Sequence, residues 1–369
     1  MDEVAAYKWI NGLPIEDLER EAVVLDRAVF AGLTRGIQTG TSKNFFSQQI
    51  NAAKEIQEYW FTYWKTNKAP ARAPDLIKVV RPELIRLGND ITSELGILHD
   101  TRITDIDFLQ SIEIEGLSLA GEQSLYEALS AIRFYDHQLE QILHAGILRV
   151  GTTGDYAPFS YQRDSNADLT GIDIDLARDL ASALDVKIHF TKTSWPSLMH
   201  DLNAGLYDIA MSGVSRNLNR QKEAYFSVAY HKGGKTPITL CKNINRFNSL
   251  EKIDKKSTNI IVNPGGTNER YVDSHIHRAK KILHPDNRTI FDEIINGHAD
   301  LMITDSIEVQ LKSSQRKELC AAMPNENLTY LDKGYLMPQD EKLKQYVDLW
   351  LATRLADGTV ESIFKKHLN

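Results

Sequence analysis

The sequence predicts two domains of different class: an all-α helix bundle over residues 1–145, then an α/β domain with two similar lobes over residues 146–369. Three observations predict this. Apolar residues recur at helical spacing in the first part, strands and helices alternate after Ala145-Gly146, and one αβ unit occurs twice in the second part. A length of 369 residues suits two or three domains.

The first part contains a series of amphipathic helical segments. Apolar stripes run through residues 18–33, 46–64 and 82–98, Thr104 is placed to cap a short helix, and residues 118–144 predict one last long helix. Pro82 suits the first turn of the third of these helices. A bundle of packed helices is the expected architecture.

One polar residue interrupts the second stripe. Gln57 occupies a position where the spacing of Phe46, Ile50, Trp60 and Trp64 predicts an apolar side chain. Burying an unpaired amide is unfavourable, so Gln57 needs a partner. The partner is either another side chain or a substrate.

Composition and charge exclude several classes of protein. The net charge is −7, and residues 1–145 carry 14 Lys and Arg against 22 Asp and Glu, so neither part has the basic balance of a nucleic-acid binder. No run of 18 apolar residues predicts a membrane helix, and the acidic start is not a signal peptide. Cys241 and Cys320 lack a metal-binding spacing and form either two buried thiols or one disulfide.

The second part contains an internal sequence repeat. Residues 202–212 and 295–304 both read as a helix end, a glycine turn, an aspartate and a buried strand that ends in a hydroxyl residue. Two such units predict two lobes, with a cleft at the carboxyl ends of their strands. The alternative is a chance similarity of common αβ turns.

Several motifs of the second part match known families. Residues 151–161 (GTTGDYAPFSY), 171–175 (GIDID) and 208–213 (DIAMSG) resemble the two-lobed periplasmic amino-acid-binding proteins. Residues 194–199 (SWPSLM), 234–241 (GKTPITLC), 263–269 (NPGGTNE) and 284–287 (HPDN) resemble the cyclohexadienyl dehydratases, enzymes with the same fold. The resemblance implies a periplasmic binding protein-like (type II) domain, with one lobe at about 146–238 and 334–369 and the other at about 239–333.

The resemblance also implies a reaction. Cyclohexadienyl dehydratases remove water and carbon dioxide from prephenate to give phenylpyruvate, and also convert arogenate to phenylalanine. An acid must protonate the departing ring hydroxyl, and the resemblance assigns this role to Glu269. Burial must then raise the pKa of Glu269 against the dipole of a helix N-terminus. The alternative is a capping or surface glutamate.

Further site residues follow from the same resemblance. Arg220 and Lys235 would hold carboxylates, and Asp305 would meet the ammonium group of arogenate. The neutral donors would be Ser212, Gly213, Gly266, Thr267 and Asn268, and the walls around the ring would be Tyr156, Phe159 and Trp195. Core packing or solvation is the plainer alternative for several of them. The usual setting of the family is the periplasm, which favours a disulfide between Cys241 and Cys320.

The first part resembles a second family. Residues 4–9 (VAAYKW), 13–17 (LPIED), 20–21 (RE) and 49–57 (QINAAKEIQ) resemble the secreted all-helical chorismate mutases, over about residues 4–98. The resemblance implies that Lys8 and Gln57 contact the ether oxygen of chorismate, that Arg20 binds a carboxylate and that Lys54 lies nearby. Otherwise Gln57 fixes the helix register.

The match to the mutases is incomplete. Relatives carry an arginine about three turns before the position of Lys8, which this chain lacks, and Ala53 stands where some relatives place a hydroxyl. We therefore expect weak mutase activity from this chain.

Together the resemblances imply a bifunctional enzyme, periplasmic or secreted, that converts chorismate to prephenate and prephenate to phenylpyruvate. No metal or cofactor, nucleic acid or membrane partner is expected, and a homodimer is the default oligomer. One rival is an amino-acid-binding protein with a helical docking domain. Another is a dehydratase whose first part is an inactive scaffold.

Overall fold

The computed structural model describes residues 1–97, 104, 108, 110–112 and 114–368, which form two compact units. The units are Met1–Asp136 and His137–Asn369. In the part of the chain that is described, no helix is long and apolar enough to span a bilayer.

The first unit is helical. Its helices are α1 (Asp2–Ile10), α2 (Leu18–Leu33), α3 (Thr39–Trp64), a π-helix (Leu76–Val80), α4 (Arg81–Ile97) and α5 (Leu119–Ser130). Side chains cap three of them: Asp17 accepts from the Arg20 amide at 3.1 Å, Asp75 accepts from the Ile77 and Lys78 amides at 2.8 Å, and Ser118 accepts from the Gly121 amide at 3.1 Å. A buried cluster of Ile37, Phe45, Phe46, Leu95 and Ala128 joins α3, α4 and α5 to the α2–α3 loop.

The long helix predicted over residues 118–144 is wrong, because α5 ends at Ser130. The backbone after it pairs with the α2–α3 loop: the Arg133 carbonyl accepts from the Gln38 amide at 2.8 Å, and Phe134 forms a bridge with Ile37. A continuous helix would need these backbone groups for its own hydrogen bonds, so it cannot form together with the long-range bonds. The short helix predicted after Thr104 falls mostly outside the described residues.

Helix α6 (Gln138–Ala145) lies in the second unit, although the sequence analysis assigned it to the first domain. Ile142 is buried in the largest core cluster of that unit. The Gln138 side chain donates to Asp208 Oδ1 at 2.7 Å, and the Gln138 amide donates to Asp340 at 2.8 Å. These contacts attach the helix to the sheet that follows it.

The second unit contains two five-stranded sheets. In the first, the order is β4 (Lys187–Lys192), β1 (Ile147–Thr152), β5 (Ile209–Ala210), β12 (Leu336–Met337) and β6 (Tyr225–Phe226). In the second, it is β11 (Leu319–Ala321), β7 (Lys235–Leu240), β10 (Leu301–Asp305), β8 (Asn259–Val262) and β9 (Lys280–Leu283). A small hairpin pairs β2 (Asp155–Tyr156) with β3 (Ser160–Tyr161). Each five-stranded sheet is the centre of one lobe.

Helices cover both sheets. They are α7 (Ile172–Ala183), α8 (Leu198–Asn203), α9 (Leu218–Gln221), α10 (Leu250–Ile253), α11 (Thr267–His275), α12 (Ile290–Ile295), α13 (Ser306–Gln315), α14 (Glu341–Ala356) and α15 (Thr359–Leu368). A 3-10 turn spans Cys241–Arg246. The chain enters the second sheet at Lys235, earlier than the boundary predicted after residue 238, and has returned to the first sheet by Leu336.

The internal sequence repeat corresponds to two equivalent αβ units. In each, a helix is followed by a glycine with positive φ, Gly205 or Gly297, and then by the strand β5 or β10. The aspartates also act alike: Asp208 accepts from the Arg149 amide at 2.7 Å, and Asp300 accepts from the Asn259 amide at 2.8 Å. Each carboxylate thus holds the start of the neighbouring parallel strand.

A disulfide joins Cys241, just after β7, to Cys320 in β11, across 79 residues of chain. We expect its removal in a Cys241→Ser/Cys320→Ser variant to lower the free energy of unfolding by about 2–4 kcal/mol, because the unfolded chain gains freedom. Urea unfolding of the oxidised protein, the reduced protein and the variant measures this. Reductant should leave the midpoint of the variant unchanged, and an equal midpoint for all three samples would contradict the prediction.

Candidate functional site

A buried ionic cluster centred on Asp305 lies where the two lobes meet. Asp305 ends β10, and its carboxylate accepts from Lys235 Nζ at 2.7 Å, from Lys333 Nζ at 2.6 Å and from the Tyr156 hydroxyl. Lys235 pairs with Asp305 in the antiparallel register of β7 and β10. All four residues are at most 6% exposed. The strand register therefore fixes one ion pair, and the chain crossover before β12 supplies the other.

Burial and charge oppose each other in this cluster. Burial by itself would raise the pKa of Asp305, but Lys235 and Lys333 outweigh it and hold the pKa well below its ordinary value. Burial also lowers the pKa of Lys235, although Asp305 counteracts the effect. One carboxylate thus faces two ammonium groups, and the cluster keeps an excess of positive charge.

Lys333 was not identified from the sequence. Its ammonium also donates to Ser215 Oγ at 3.0 Å and lies 5.0 Å from the centre of the Tyr156 ring. Nothing in the local pattern, Leu331-Asp332-Lys333-Gly334, distinguishes it from a solvated surface lysine. Only the fold brings it to Asp305.

Arg220 is the second buried cation of the site. Asn217 caps the short helix α9 by accepting from the Arg220 amide at 3.0 Å, and the Arg220 side chain is only 6% exposed. Its guanidinium donates to the Ser215 carbonyl at 3.4 Å and has no acidic partner among the described residues. Burial, with Arg270 nearby, lowers the pKa of Arg220 to about 10, so the group stays charged at neutral pH. A buried guanidinium of this kind is suited to a carboxylate.

A cleft between the lobes connects these groups. It is lined by Tyr156, Trp195, Gly213, Ser215, Arg220, Asn263, Gly266, Thr267, Asn268, Asn287, Asp305 and Lys333. The structure therefore brings together eight of the residues proposed from the sequence for this site, and adds Ser215, Asn263, Asn287 and Lys333. Asn263 and Asn287 occur in the motifs quoted above, but no role followed from them.

Ser212 and Lys235 were both predicted to contact the substrate, but they lie behind the residues that line the cleft. Ser212 is fully buried, and its hydroxyl bonds to Thr153 at 2.8 Å and to Ser160 at 3.2 Å. Lys235 reaches the cleft only through Asp305. Ser212 therefore supports the loop that carries Gly213, where a positive φ of 64° and the adjacent rings of Tyr156 and Phe159 leave no space for a Cβ atom.

Glu269, the general acid expected from the sequence, is not among the described residues that line the cleft. It lies in the first turn of α11, but its carboxylate accepts from the Gly265 amide at 2.7 Å and from Lys281 Nζ at 3.1 Å. Lys281 also pairs with Asp273 at 2.6 Å. The structure therefore shows the Glu269 side chain bonded to Gly265 and Lys281.

Two other buried carboxyl groups adjoin the cleft. Burial raises the pKa of Glu308 to about 7 and that of Asp173 to about 7. Glu308 accepts from Thr304 Oγ1 at 2.6 Å, which in turn accepts from the cleft residue Asn268 at 3.1 Å. Asp173 accepts from the Gly213 amide at 2.5 Å. The sequence offered one signal for Glu308, a charged residue between Ile307 and Val309 in a buried helix.

In the first unit, the residues proposed for the mutase lie on α1, α2 and α3. Lys8 donates to the Ile15 carbonyl at 2.6 Å, and burial lowers its pKa, with Arg81 adding to the effect. Gln57 is 4% exposed; its Nε2 donates to the Ala53 carbonyl at 2.8 Å, and its Oε1 has no partner within the described residues. Arg81 was not identified from the sequence.

Lys54 and Arg20 are less directly placed. The Lys54 ammonium pairs with Glu21 at 3.1 Å and Glu16 at 3.5 Å, so its charge is already compensated. Arg20 lies in the first turn of α2, and its amide donates to Asp17. Among the described residues, the hydrogen bonds and ion pairs of Lys54 and Gln57 go to other partners.

Comparisons with known proteins concern the second unit. The cyclohexadienyl dehydratase of Pseudomonas aeruginosa is 49% identical over 224 residues, which cover 61% of this chain and 83% of that protein. The histidine-binding periplasmic protein of Escherichia coli is 26% identical over 233 residues, or 60% of this chain and 87% of that protein.

A solved structure is also similar. It is an ancestral amino acid-binding protein described as a precursor of cyclohexadienyl dehydratase, with a TM-score of 0.58 and 32% identity, covering 63% of this chain and 99% of that one. A family model matches residues 148–369 as well. The two-lobed fold, its interlobe cleft and these similarities show that the chain belongs to the bacterial extracellular solute-binding proteins, family 3.

Proposed function

We propose that the second unit is a dehydratase that converts prephenate to phenylpyruvate. The observation that carries the proposal is the charge of the cleft: Arg220 and Lys333 line it, and Asp305, the one acidic lining residue among those described, is also paired with Lys235 behind the wall. A dicarboxylate fits this excess of positive charge. The identity of 49% with a cyclohexadienyl dehydratase supports the same substrate class.

The proposed chemistry is a coupled loss of water and carbon dioxide. A proton adds to the ring hydroxyl, the C–O bond breaks, and water leaves. The bond between the ring and its carboxylate breaks at the same time, and its electron pair completes the aromatic ring. That carboxylate loses its charge in the transition state, so a cation held against it would stabilise the substrate more than the transition state. Arg220 therefore binds the other carboxylate, on the side chain of the substrate.

The neutral groups of the cleft position the ring and exclude water. Tyr156 and Trp195 pack edge to face, with ring centres 5.7 Å apart, and Asp155 fixes the Trp195 indole nitrogen at 3.1 Å. Gly266 and Thr267 lie at the N-terminus of α11, where backbone amides favour an anion. Closure of the lobes around the substrate would strengthen each of these interactions.

We retain Glu269 as the proposed general acid, with Glu308 as the alternative. Glu269 follows directly on the cleft residues Gly266, Thr267 and Asn268, and a side-chain rotation away from Lys281 would bring it to the ligand. Glu308 is buried with a raised pKa and is connected to the cleft through Thr304 and Asn268.

We expect Glu269→Gln to lower kcat for prephenate by about 10²–10⁴-fold with little change in KM, because the amide cannot donate the proton. Phenylpyruvate formation measures this, with Glu308→Gln as the matched variant. A normal kcat for Glu269→Gln together with a large loss for Glu308→Gln would transfer the role of the acid to Glu308.

We expect Arg220→Met to raise KM for prephenate and to lower kcat/KM, because the buried carboxylate of the substrate would lose its cation. The loss in kcat/KM should correspond to about 2–5 kcal/mol of binding free energy. Steady-state kinetics measure it. The control is Arg316→Met, which removes an exposed ion pair with Asp292 and should leave the kinetics unchanged. Equal kinetics for both variants would remove Arg220 from the site.

We also infer a second activity for the first unit, the conversion of chorismate to prephenate. The observation that favours it is the buried amide of Gln57, which keeps one N–H for a ligand after its bond to Ala53. Lys8 and Arg81 are close enough to affect each other electrostatically and would supply positive charge for a dianion. The motif resemblance of residues 4–57 supports the same activity.

We expect this chain to consume chorismate faster than the uncatalysed reaction in buffer. Gln57→Leu should abolish the activity while raising the free energy of unfolding by about 1 kcal/mol, since it removes a buried unsatisfied oxygen. Chorismate absorbance and urea unfolding measure the two effects. Unchanged chorismate turnover in Gln57→Leu would leave Gln57 a structural residue.

The proposed location is the periplasm or the cell exterior. The family description, bacterial extracellular solute-binding proteins, and the disulfide between Cys241 and Cys320 support it. The rival proposal is a receptor that binds an amino acid without reaction. Incubation of the purified chain with prephenate separates the two, because only an enzyme forms phenylpyruvate faster than the buffer does.

A further inference from the structure

We infer that Lys333, together with Lys235, makes the cleft select a 2-oxo acid over the corresponding 2-amino acid, so that prephenate is preferred to arogenate. The inference deepens the proposed function and rests on it for the identity of the substrates. It concerns the side-chain carbon next to the carboxylate that Arg220 holds. At that carbon prephenate carries an oxygen and arogenate an ammonium group.

An incoming ammonium group needs an anionic partner in the cleft. Among the residues that the structure describes, Asp305 is the only acidic side chain that lines it. Both oxygens of Asp305 are already occupied, Oδ1 by Lys235 at 2.7 Å and Oδ2 by Lys333 at 2.6 Å, and the Tyr156 hydroxyl bonds to Oδ2 as well. The ammonium groups of Lys235 and Lys333 therefore occupy the position that the ammonium group of a ligand would need.

Displacing either lysine is unfavourable. Both are at most 1% exposed, and a displaced ammonium would remain buried without its counter-ion. Lys333 would keep only its bond to Ser215, and Lys235 has no other side-chain hydrogen bond among the described residues. An oxo group avoids the problem, since it accepts hydrogen bonds and can approach Lys333 without disturbing Asp305.

The charge balance favours the same ligand. Arg220 and Lys333 line the cleft with two positive charges, and Lys235, behind Asp305, compensates the negative charge of that carboxylate, so these four groups leave a net of about +2. Prephenate has two carboxylates and no cation, so it neutralises this charge. Arogenate carries an additional ammonium, so it leaves one positive charge uncompensated and places a cation near two others.

Binding of stable product analogues tests the inference independently of turnover. Phenylpyruvate and L-phenylalanine differ only in the oxo or amino group, and calorimetry or tryptophan fluorescence measures their Kd values. We expect phenylpyruvate to bind the unmodified chain about tenfold more tightly or better. Lys333→Met removes one of the two cations that compensate Asp305 and leaves Oδ2 with only the Tyr156 hydroxyl, so the ratio of Kd values should shift about tenfold or more towards L-phenylalanine. Lys333→Gln, which keeps a polar partner for Ser215, should shift it in the same direction.

The matched control is Lys342→Met, which removes a lysine that pairs with Glu140 at the surface and should leave the ratio unchanged. A partial loss of folding lowers both affinities and does not change their ratio. Equal or tighter binding of L-phenylalanine by the unmodified chain, an unchanged ratio in both Lys333 variants, or no binding of either acid would overturn the inference. Failure of the proposed function has a different signature: the Kd ratio holds, but prephenate is not consumed.

Discussion

The burial of Asp305 between two lysines is the constraint on which the site depends. A carboxylate in a protein interior is tolerated only with compensating charge, and here two ammonium groups supply it. The cluster also connects both lobes, because Tyr156 belongs to the first lobe and Asp305 to the second. The same interaction thus joins the two lobes and sets the electrostatic potential of the cleft.

Other contacts across the cleft follow from this arrangement. Asn287 donates to the Asp155 carbonyl at 3.1 Å, and the Gly265 backbone approaches Pro196 so closely that a Cβ atom would lie 2.7 Å from the Pro196 Cα. A substrate enclosed by these contacts is shielded from water, which strengthens its ionic interactions. In this respect a fold that captures small molecules already provides much of what a dehydration requires. What a catalyst must add is a proton donor, and the proposed candidates are Glu269 in the first turn of α11 and the buried Glu308.

The two predicted parts of the chain, residues 1–145 and 146–369, present different balances of charge. The proposed mutase residues of the first unit, Lys8 and Gln57, lie in a part of the chain with a net charge of −8, whereas the second part is close to neutral. Specific cations, and not an overall field, must therefore attract anionic ligands in both. Where an acidic neighbour is available, as at Lys54 with Glu21, the structure has already paired the cation.

The local sequence pattern was sufficient to predict the helical first part, the α/β second part and the repeated unit around Asp208 and Asp300. These features depend on periodicity and turn residues, which act over a few positions of the chain. The motif resemblance was sufficient to identify most of the residues that line the cleft, including Arg220 and Asp305. Tertiary structure alone decided which charges meet. Lys333 reaches Asp305 only through the crossover between the lobes, Ser212 points into a hydroxyl network, and Glu269 turns to Lys281. Such pairings join residues far apart in the chain, and their strength depends on burial, which no local pattern contains.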